Sequence, residues 1–428
     1  MASFSIPLTG LESDSTALNT IANDLSNMNT AGFKAQTTNF SDLFYQQLGS
    51  TGDGDPIQVG AGVQVASNEI SFTQGSINST GNSTDVALNG SGFFVVGNGQ
   101  GGYEYTRDGN FSLGSNGNLV TSNGLSVMGY PAVNGVVNTN APLAAINIPL
   151  GAVEMPQATS TLNMTANLNN TTAVGTQFPA QVTVYDSLGQ AHVATVTFTP
   201  TAVAGTWDYS VALPAADFAS GVSTPVTGTM SFDQNGNLTT IDPTGAPAPE
   251  TVGTAAGDAQ SIPLQFNGLA DGANDLNIQW NLLGSAGAPT ISQVDTASAV
   301  SATLQNGYAS GQYQSFSVGT DGTVTASYSN GQQQNVGQLA LANVTNLQGL
   351  SLLGDGDYAT TRASGTAVVG TSGTAGLASV QDDALEASNV NISTEFSNLI
   401  IAQRAFEANA KSVTTFDTVT QDTINMVH

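Results

Sequence analysis

The chain has 428 residues, which is long for a single domain and predicts two or three. It contains 31 acidic and 5 basic residues, for a formal net charge of −26, and no cysteine. The scarcity of lysine and arginine argues against nucleic acid and anionic membranes as partners, because both require basic side chains. The lack of cysteine excludes a disulfide framework, a thiolate metal site and a cysteine nucleophile.

The N-terminal sequence shows none of the marks of a secretory leader. The first residues, MASFSIPLTGLESDS, contain neither a basic stretch nor an apolar stretch. We therefore expect no cleaved signal peptide. No apolar run approaches the length that spans a membrane, so membrane insertion is not expected either.

The distribution of glycine and proline divides the chain into three parts. Neither residue occurs from Leu11 to Ala31 or after Gly376, whereas the segment between is rich in both. Because glycine and proline break helices and mark turns, this pattern predicts helical ends and a long β-rich middle. The expected fold class is mainly β and multidomain, with coiled-coil-like helical termini and discontinuous, nested β domains.

The N-terminal helix is predicted to carry an apolar seam. Thr9 and Glu12 have the spacing of a capping box at a helix start. Leucines then recur every seven residues, with two further apolar side chains beside them. The seam comprises Leu11, Leu18, Ile21, Leu25 and Met28.

The C-terminal helix is predicted to begin after Asn391 as N-cap and to carry a similar seam. Its members are Ile392, Phe396, Leu399, Phe406, Ala410, Val413 and Ile424. A seam of this period requires a partner helix along its length. We expect the two ends to pair with each other or with neighbouring copies of the chain. Ordinary packing on a globular core is the less favoured alternative.

The middle of the chain is predicted to consist of strands joined by tight turns. Alternating apolar residues flank turn sequences at 116–117, 186–189, 233–236 and 321–322, which indicates four hairpins. The segment from Trp207 to Leu213 alternates with the period of a half-buried strand.

Two short motifs resemble ligand sites, and both are better explained as turns. The glycines at 97, 99 and 102 match a dinucleotide-binding fingerprint, but a strand pattern follows them where the fingerprint needs a helix. Asp233, Asn235 and Asn237 resemble the start of a calcium loop, but its glycine is misplaced and its final glutamate is missing. We expect a hairpin turn in each place.

The remaining candidate metal ligands and catalytic groups have no supporting motif around them in the sequence. Asp53 and Asp55 could bind a cation only weakly, and a solvated loop is the favoured interpretation. His192 lies on a predicted strand, and His428 is the last residue. We therefore expect no catalytic site, no metal site and no cofactor.

Both ends of the chain resemble the flagellar rod and hook proteins. ANDLSNMNTAGFK at 22–34 resembles their N-terminal signature, with Asp24 where the family usually has asparagine. LEASNV at 385–390 and IAQRAFEAN at 401–409 resemble their C-terminal signature. The signature residues singled out are Asn23, Leu25, Asn27, Thr30, Gly32 and Phe33.

Segments in the middle narrow the resemblance to the hook members of this family. LNGSGFF at 88–94 and YTRDGNF at 105–111 are similar to segments of both hook and distal rod proteins. VYDSLGQAH at 184–192 and QNGY at 305–308 are similar to segments of hook proteins. The resemblance touches nearly the whole chain and is weakest over about 215–298.

The resemblance implies a structural subunit and not an enzyme. Such a subunit would self-assemble into the flexible, curved tube of the hook, a universal joint that transmits torque from rod to filament. It would be exported by the flagellar type III apparatus to an extracellular location. The implied partners are further copies of the chain, the distal rod protein, the hook cap protein and the hook–filament junction protein. The alternatives are a distal rod protein and, from a different class, a secreted β-rich adhesin or hydrolase.

Composition and resemblance together predict nested domains. Residues 1–34 and 385–428 would form a terminal helical core, and 35–80 and 375–384 an extended connector. Residues 81–148 and 301–374 would form an inner β domain, into which 149–300 insert an outer β domain. The helices would line an inner tube, with the β domains on outer shells.

Overall fold

The chain begins and ends in helices that pack against each other. The structure, a computed structural model, describes residues 5–50, 55–246 and 248–426. Helix α1 spans Ser5–Ser26 and helix α2 spans Ile392–Met426. The predicted capping box is wrong, because Thr9 lies inside α1 and its hydroxyl donates to the carbonyl of Ile6. The predicted N-cap is confirmed, since the Asn391 side chain accepts a 3.2 Å hydrogen bond from the amide of Thr394.

The residues between the helices form strands joined by short turns, as the glycine and proline pattern predicts. The first strands are β1 (Gln36–Asp42), β2 (Gln46–Ser50), β3 (Pro56–Val59), β4 (Val63–Ile70), β5 (Ile77–Ser79), β6 (Val86–Asn89), β7 (Phe93–Gly97), β8 (Tyr103–Thr106), β9 (Ser112–Leu113), β10 (Leu119–Val120), β11 (Ser126–Val133), β12 (Val136–Val137) and β13 (Ala144–Ala145). The next are β14 (Val153–Glu154), β15 (Thr161–Asn169), β16 (Phe178–Tyr185), β17 (Ala191–Pro200), β18 (Thr206–Ala212), β19 (Val226–Phe232), β20 (Leu238–Pro243), β21 (Glu250–Thr251), β22 (Ser261–Phe266), β23 (Leu276–Asn281), β24 (Ile291–Val294) and β25 (Ala299–Gln305). The last are β26 (Gly311–Val318), β27 (Thr323–Tyr328), β28 (Gln333–Leu339), β29 (Leu341–Asn343), β30 (Ser351–Gly354), β31 (Asp357–Ala359), β32 (Val368–Gly370), β33 (Ser379–Asp382) and β34 (Ala384–Glu386).

These elements form two compact units. The first unit comprises the described residues of 1–150, 315–327 and 333–428. The second comprises those of 151–314 and 328–332. The prediction of a mainly β chain with helical ends and several β domains is confirmed.

The first unit contains an antiparallel sheet and the two helices. Strands β28, β11, β7, β8, β31 and β30 are neighbours in that order. One face of the sheet packs on an aromatic cluster, in which the rings of Phe72, Phe93 and Tyr358 have centroids 5.4 to 5.8 Å apart. These rings belong to the apolar core that stabilises the unit.

The two ends of the chain meet in the first unit through short strand pairs. Strand β33 pairs antiparallel with β6, and β34 pairs antiparallel with β5. Strand β1 pairs with β4, and it lies beside α1, where the hydroxyl of Thr38 contacts that of Thr20 at 3.1 Å. The returning chain is therefore hydrogen-bonded to the outgoing chain just before α2 begins.

The second unit is a β-sandwich. One sheet is the antiparallel series β16 to β21, and the other contains β22, β23, β15 and β24, with β25 also paired to β15. Alternate residues of both sheets enter one core, as a half-buried strand requires. At its centre Trp280 packs edge-to-face against Phe198 and Tyr209, at centroid distances of 6.2 and 5.9 Å.

The predicted turns are confirmed where the structure describes them. Paired strands flank the turns at 116–117 (β9 and β10), 186–189 (β16 and β17) and 233–236 (β19 and β20). At 321–322 the amide of Gly319 closes the turn by donating to the carbonyl of Thr323. The glycine motif at 97–102 joins the paired strands β7 and β8. Asp233 accepts hydrogen bonds from the amides of Asn235 and Asn237, which makes its segment a turn. Asp53 and His428 lie outside the described residues.

Gly32 brings the N-terminal segment into close contact with the β structure. Its φ angle is +68°, in the left-handed region, and its amide donates a 2.8 Å hydrogen bond to the carbonyl of Glu386. A Cβ atom here would lie 2.6 Å from the carbonyl carbon of Arg107. Only glycine can adopt this backbone angle without strain and also fit the narrow space beside Arg107.

Replacing Gly32 by alanine should destabilise the first unit by several kcal/mol, because a backbone clash adds to the roughly 1–2 kcal/mol cost of a left-handed alanine. Urea unfolding followed by far-UV circular dichroism measures this. Both tryptophans lie in the second unit, so their fluorescence reports separately on that unit.

Gly81→Ala is the matched control for this measurement. Its φ angle is +71°, nearly that of Gly32, but no heavy atom lies within 4 Å of the added Cβ. This variant should lower the free energy of unfolding only by the cost of a left-handed alanine. Equal losses of unfolding free energy in the two variants would show that the close approach to Arg107 does not contribute to the destabilisation.

Candidate assembly interface

Helix α1 faces the rest of its own chain with small and polar residues. Its buried residues are Pro7, Gly10, Ser13, Thr20, Ile21 and Asp24. A Cβ at Gly10 would lie 2.6 Å from the side-chain nitrogen of Asn409, so α2 approaches α1 closely at this point. Asn409 also donates a 2.8 Å hydrogen bond to the carboxylate of Asp14. The contact between the helices is therefore close and partly polar.

The predicted N-terminal seam lies mostly beside this contact. Ile21 is buried within the chain, whereas Leu11, Leu18 and Leu25 are half-buried. Met28 is exposed. The single chain therefore covers only part of this seam.

The predicted C-terminal seam is less covered still. None of the 35 residues of α2 is buried. Leu399, Ala410 and Val413 are half-buried, and Ile392, Phe396, Phe406 and Ile424 are exposed. The exposed apolar residues also include Ile400, Ile401 and Val419, which the seven-residue period did not indicate. Helix α2 thus presents a long apolar surface that its own chain does not cover.

A groove of about 410 Å³ lies between α1, β1 and α2. Ala17 and Ile21 line it from α1, Phe40 from β1, and Ile401 and Ala405 from α2. This is the place where the structure brings one predicted seam residue of α1, Ile21, together with apolar residues of α2. Its mostly apolar lining suits contact with another apolar side chain.

The signature residues after α1 turn the chain from the helix into the β structure. The Asn27 side chain donates to the carbonyl of Asn23 at 2.9 Å and accepts from the Thr30 hydroxyl at 3.1 Å. The carbonyl of Phe33, which is half-buried, accepts a 3.4 Å hydrogen bond from the amide of Asn389. Together with Gly32, these contacts fix where α1 leaves the β structure.

A buried charge cluster lies directly behind this turn. The Glu386 carboxylate is 2.6 Å from the Lys34 ammonium group and 3.0 Å from the Arg107 guanidinium group, and none of the three side chains is more than 6% exposed. Lys34 also donates to the carbonyl of Thr73, and Arg107 donates to that of Gly90. The cluster thus joins the N-terminal segment, the β sheet and the C-terminal segment.

The charges of the cluster depend on one another. Burial lowers the pKa of the Lys34 ammonium group, and the Glu386 carboxylate opposes that change. Burial likewise lowers the pKa of Arg107, again opposed by Glu386. Glu386 therefore favours the charged form of both buried cations. Nothing in the sequence indicated this, since Lys34 and Glu386 are 352 positions apart.

Asn389 adds a second link between the two ends of the chain. Its side-chain oxygen accepts from the amide of Ala35 at 2.7 Å, and its nitrogen donates to the carbonyl of Ser71 at 2.7 Å. The side chain of Asn389, just before α2, therefore satisfies backbone groups of two segments that follow α1.

Asp24 is a buried carboxylate on the inner face of α1. One of its oxygens accepts a 2.8 Å hydrogen bond from the amide of Gln36, and the other has no hydrogen-bond partner. Burial raises the pKa of Asp24 to about 6; the hydrogen bond from Gln36 opposes this shift and the nearby Glu395 adds to it. A carboxylate at this position therefore carries a cost at neutral pH.

Four family descriptions match segments of the chain. They are the flagella basal body rod protein at 8–34, the flagellar hook protein FlgE/F/G D1 domain at 87–167, the flagellar basal body protein FlaE D2 domain at 177–308 and the flagellar basal body rod FlgEFG protein C-terminal at 381–426.

Known proteins resemble the chain over its full length. It is 35% identical to the flagellar hook protein FlgE of Salmonella typhimurium, over 99% of this chain and 100% of that protein. It is 34% identical to that of Escherichia coli, over 99% of both chains. The crystal structure of the hook protein FlgE2 of Helicobacter pylori matches with a TM-score of 0.52 at 13% identity, over 72% of this chain and 100% of that one, which shows a shared fold. Among the described residues, neither helix is long and apolar enough to cross a membrane.

Glu386→Gln should reduce the free energy of unfolding of the first unit by roughly 3–5 kcal/mol, because it leaves two buried cations without a compensating charge. Urea unfolding by circular dichroism measures the loss. The matched control is Glu69→Gln, which changes an exposed glutamate of the same unit and should stay within about 0.5 kcal/mol of the unchanged protein. A Glu386→Gln variant as stable as this control would contradict the role given to the cluster.

Asp24→Asn should stabilise the first unit at pH 7.5 by on the order of 1–3 kcal/mol, and by roughly half as much at pH 5. The raised pKa means that the folded state holds the proton more tightly than the unfolded state. The cost of the carboxylate is therefore absent at low pH, grows as the pH rises from about 4 to 6, and is complete above pH 6. The asparagine oxygen can still accept the hydrogen bond from Gln36.

Urea unfolding at pH 5.0 and 7.5 tests this, since the isoelectric point near 4.1 makes more acidic solutions unsuitable. Asp42→Asn, an exposed carboxyl on β1, is the control and should leave the pH dependence unchanged. A stabilisation by Asp24→Asn that is equal at both pH values would rule out titration of Asp24 as its cause.

Proposed function

Because the chain belongs to the flagellar hook protein family, we propose that its copies assemble through the surfaces of α1 and α2 that a single chain leaves uncovered. The chain is a structural subunit of the bacterial flagellar hook. The observation that carries the proposal is helix α2, of which no residue is buried although it displays a row of large apolar side chains.

The energetic argument follows from the exposed area. Phe396, Ile400 and Ile401 are 50 to 66% exposed, and burying an aliphatic or aromatic side chain completely stabilises an association by about 1.5–3 kcal/mol. A few such side chains per subunit suffice to drive association once they offset the freedom of motion that the subunits lose on binding. The partly polar contact between α1 and α2 leaves this apolar area for other subunits.

We assign the seam residues to this inner interface and the β units to outer layers. In this arrangement 1–34 and 385–428 form the terminal core, 35–80 and 375–384 the connector, 81–148 and 301–374 the inner β domain, and 149–300 the outer β domain. The buried cluster around Glu386 supports the assignment, because it holds both helical ends at one place on the β structure.

The finer parts of the proposal follow from family membership. The subunit would pass unfolded through the type III export apparatus and act in a universal joint, with a structural and not a catalytic role. The distal rod protein would contact one end of the polymer and the hook–filament junction protein the other, while the hook cap protein would guide growth. The scarcity of charged residues supports a flexible joint, because few ion pairs then fix the register between outer surfaces.

Electron microscopy of basal bodies from a strain that lacks this gene tests the function. Complete rods that end without a hook are expected. Truncated rods would instead place the chain in the rod, and intact hooks and filaments would overturn the proposal. Complementation with the unchanged gene should restore hooks.

Complementation with single variants tests the interface. Phe396→Asp and Ile401→Asp each place a charge on the exposed apolar surface of α2, and each should yield rods without hooks while the purified subunit stays as stable as the unchanged protein. Val203→Asp, at a position 66% exposed in the second unit, is the control and should restore hooks. Hook formation by both helix variants would exclude this surface from the interface.

A further inference from the structure

Four side chains of the second unit form a cluster that the proposed assembly interface does not include. His192, on β17, is 4% exposed. Its Nε2 atom lies 3.0 Å from Oδ2 of Asp186, and its Nδ1 atom lies 3.0 Å from Oδ2 of Asp217. One ligand atom each of Asp186, His192 and Asp271 lie within 4.8 Å of one another. Three carboxylates therefore surround one imidazole.

The surrounding loops hold these groups in place. The Oδ1 atom of Asp186 accepts the amides of Leu188 and Gln190 at 2.8 and 2.9 Å, so only Oδ2 remains to face the imidazole. The amide of Ala270 donates to the carbonyl of Asp217 at 2.9 Å, which ties the loop of Asp271 to that of Asp217. The amide of Asn274 donates to the hydroxyl of Ser187 at 2.9 Å, which ties the same loop to the Asp186 turn.

The unit contains no other cation that could balance these carboxylates. The sequence has no lysine or arginine between Arg107 and Arg362, so His192 is the one side chain of the second unit that can carry a positive charge. Asp186 is fully buried. A protonated imidazole can offset the charge of Asp186, but the half-buried Asp217 and the exposed Asp271 then have no cation of their own in this unit.

We propose that Asp186, His192 and Asp271 bind a divalent cation of the zinc class in this unit. An imidazole nitrogen together with carboxylate oxygens suits such a metal better than Mg²⁺ or Ca²⁺, which prefer oxygen ligands alone. Asp217, whose Oδ2 atom lies 3.0 Å from the other ring nitrogen, takes the place that carboxylates commonly have beside metal-bound histidines. Asp271 is exposed and leaves access from solvent.

The consequence of binding would be stabilisation of the sandwich. The ligands come from the turn and strand at 186–192 and from a loop near residue 271, and they meet only in the folded unit. Binding of the metal is then linked to folding and raises stability with metal concentration. The cation would join the loop of Asp271 to the hairpin of β16 and β17.

Calorimetric titration of the chelator-treated full chain with ZnCl₂ tests the proposal, with MgCl₂ for comparison. All samples carry His428→Gln, which leaves His192 as the single histidine. We expect saturable binding of one Zn²⁺ per chain and no comparable binding of Mg²⁺. With Zn²⁺ in excess, the midpoint of thermal unfolding reported by Trp207 and Trp280 should rise by about 3–5 °C.

Two aspartates of one loop provide the matched variants. Asp271→Asn removes a ligand charge and should weaken Zn²⁺ binding at least ~10-fold, with loss of the zinc-induced shift relative to its own zinc-free midpoint. Asp275→Asn changes an exposed carboxyl nearby that the cluster does not include, and should bind as the unchanged chain does. Absence of saturable Zn²⁺ binding, or equal binding by both variants, would overturn the proposal and leave an ion-pair network alone.

Discussion

The architecture of the first unit depends on one buried carboxylate. Glu386 lies between Lys34 and Arg107, and the chain contains only 5 basic residues, so two of them are committed to this contact. A buried ion cluster is favourable only when every partner is in place, because each charge left alone is heavily penalised. The N-terminal segment, the β sheet and the C-terminal segment must therefore come together as a set. The helices then leave the β structure from one fixed point.

That fixed point separates two kinds of helix surface. Gly10, Ser13 and Thr20 serve the contacts within the chain, where small size permits a close approach. The large apolar residues of α2 remain exposed to solvent in the single chain. Such a division suits a subunit that folds on its own before assembly and then packs its helices against those of other subunits. The leucine and phenylalanine seams remain a prediction about that layer.

Local features of the fold could be read from the sequence, and contacts between distant segments could not. The hairpins at 186–189 and 233–236 follow from turn residues and alternation, which are local signals. The start of α1 was misplaced because Pro7 and Gly10 look like helix breakers, whereas packing against Asn409 accommodates a glycine inside the helix. The partners of Glu386 and of His192 went unrecognised for a different reason. Lys34 and Arg107 lie far from Glu386 in the sequence, as Asp217 and Asp271 do from His192, and spacing carries no information about such pairs.

The placement of the basic residues also determines how the subunit meets proteases outside the cell. Trypsin-like enzymes cleave only after lysine or arginine and need the site to be accessible. Lys34 and Arg107 are buried, which leaves Arg362, Arg404 and Lys411 as the exposed sites of a single chain. The second unit offers such enzymes no cleavage site in its sequence at all. Its resistance to this class of protease comes from composition and would persist even when the sandwich opens.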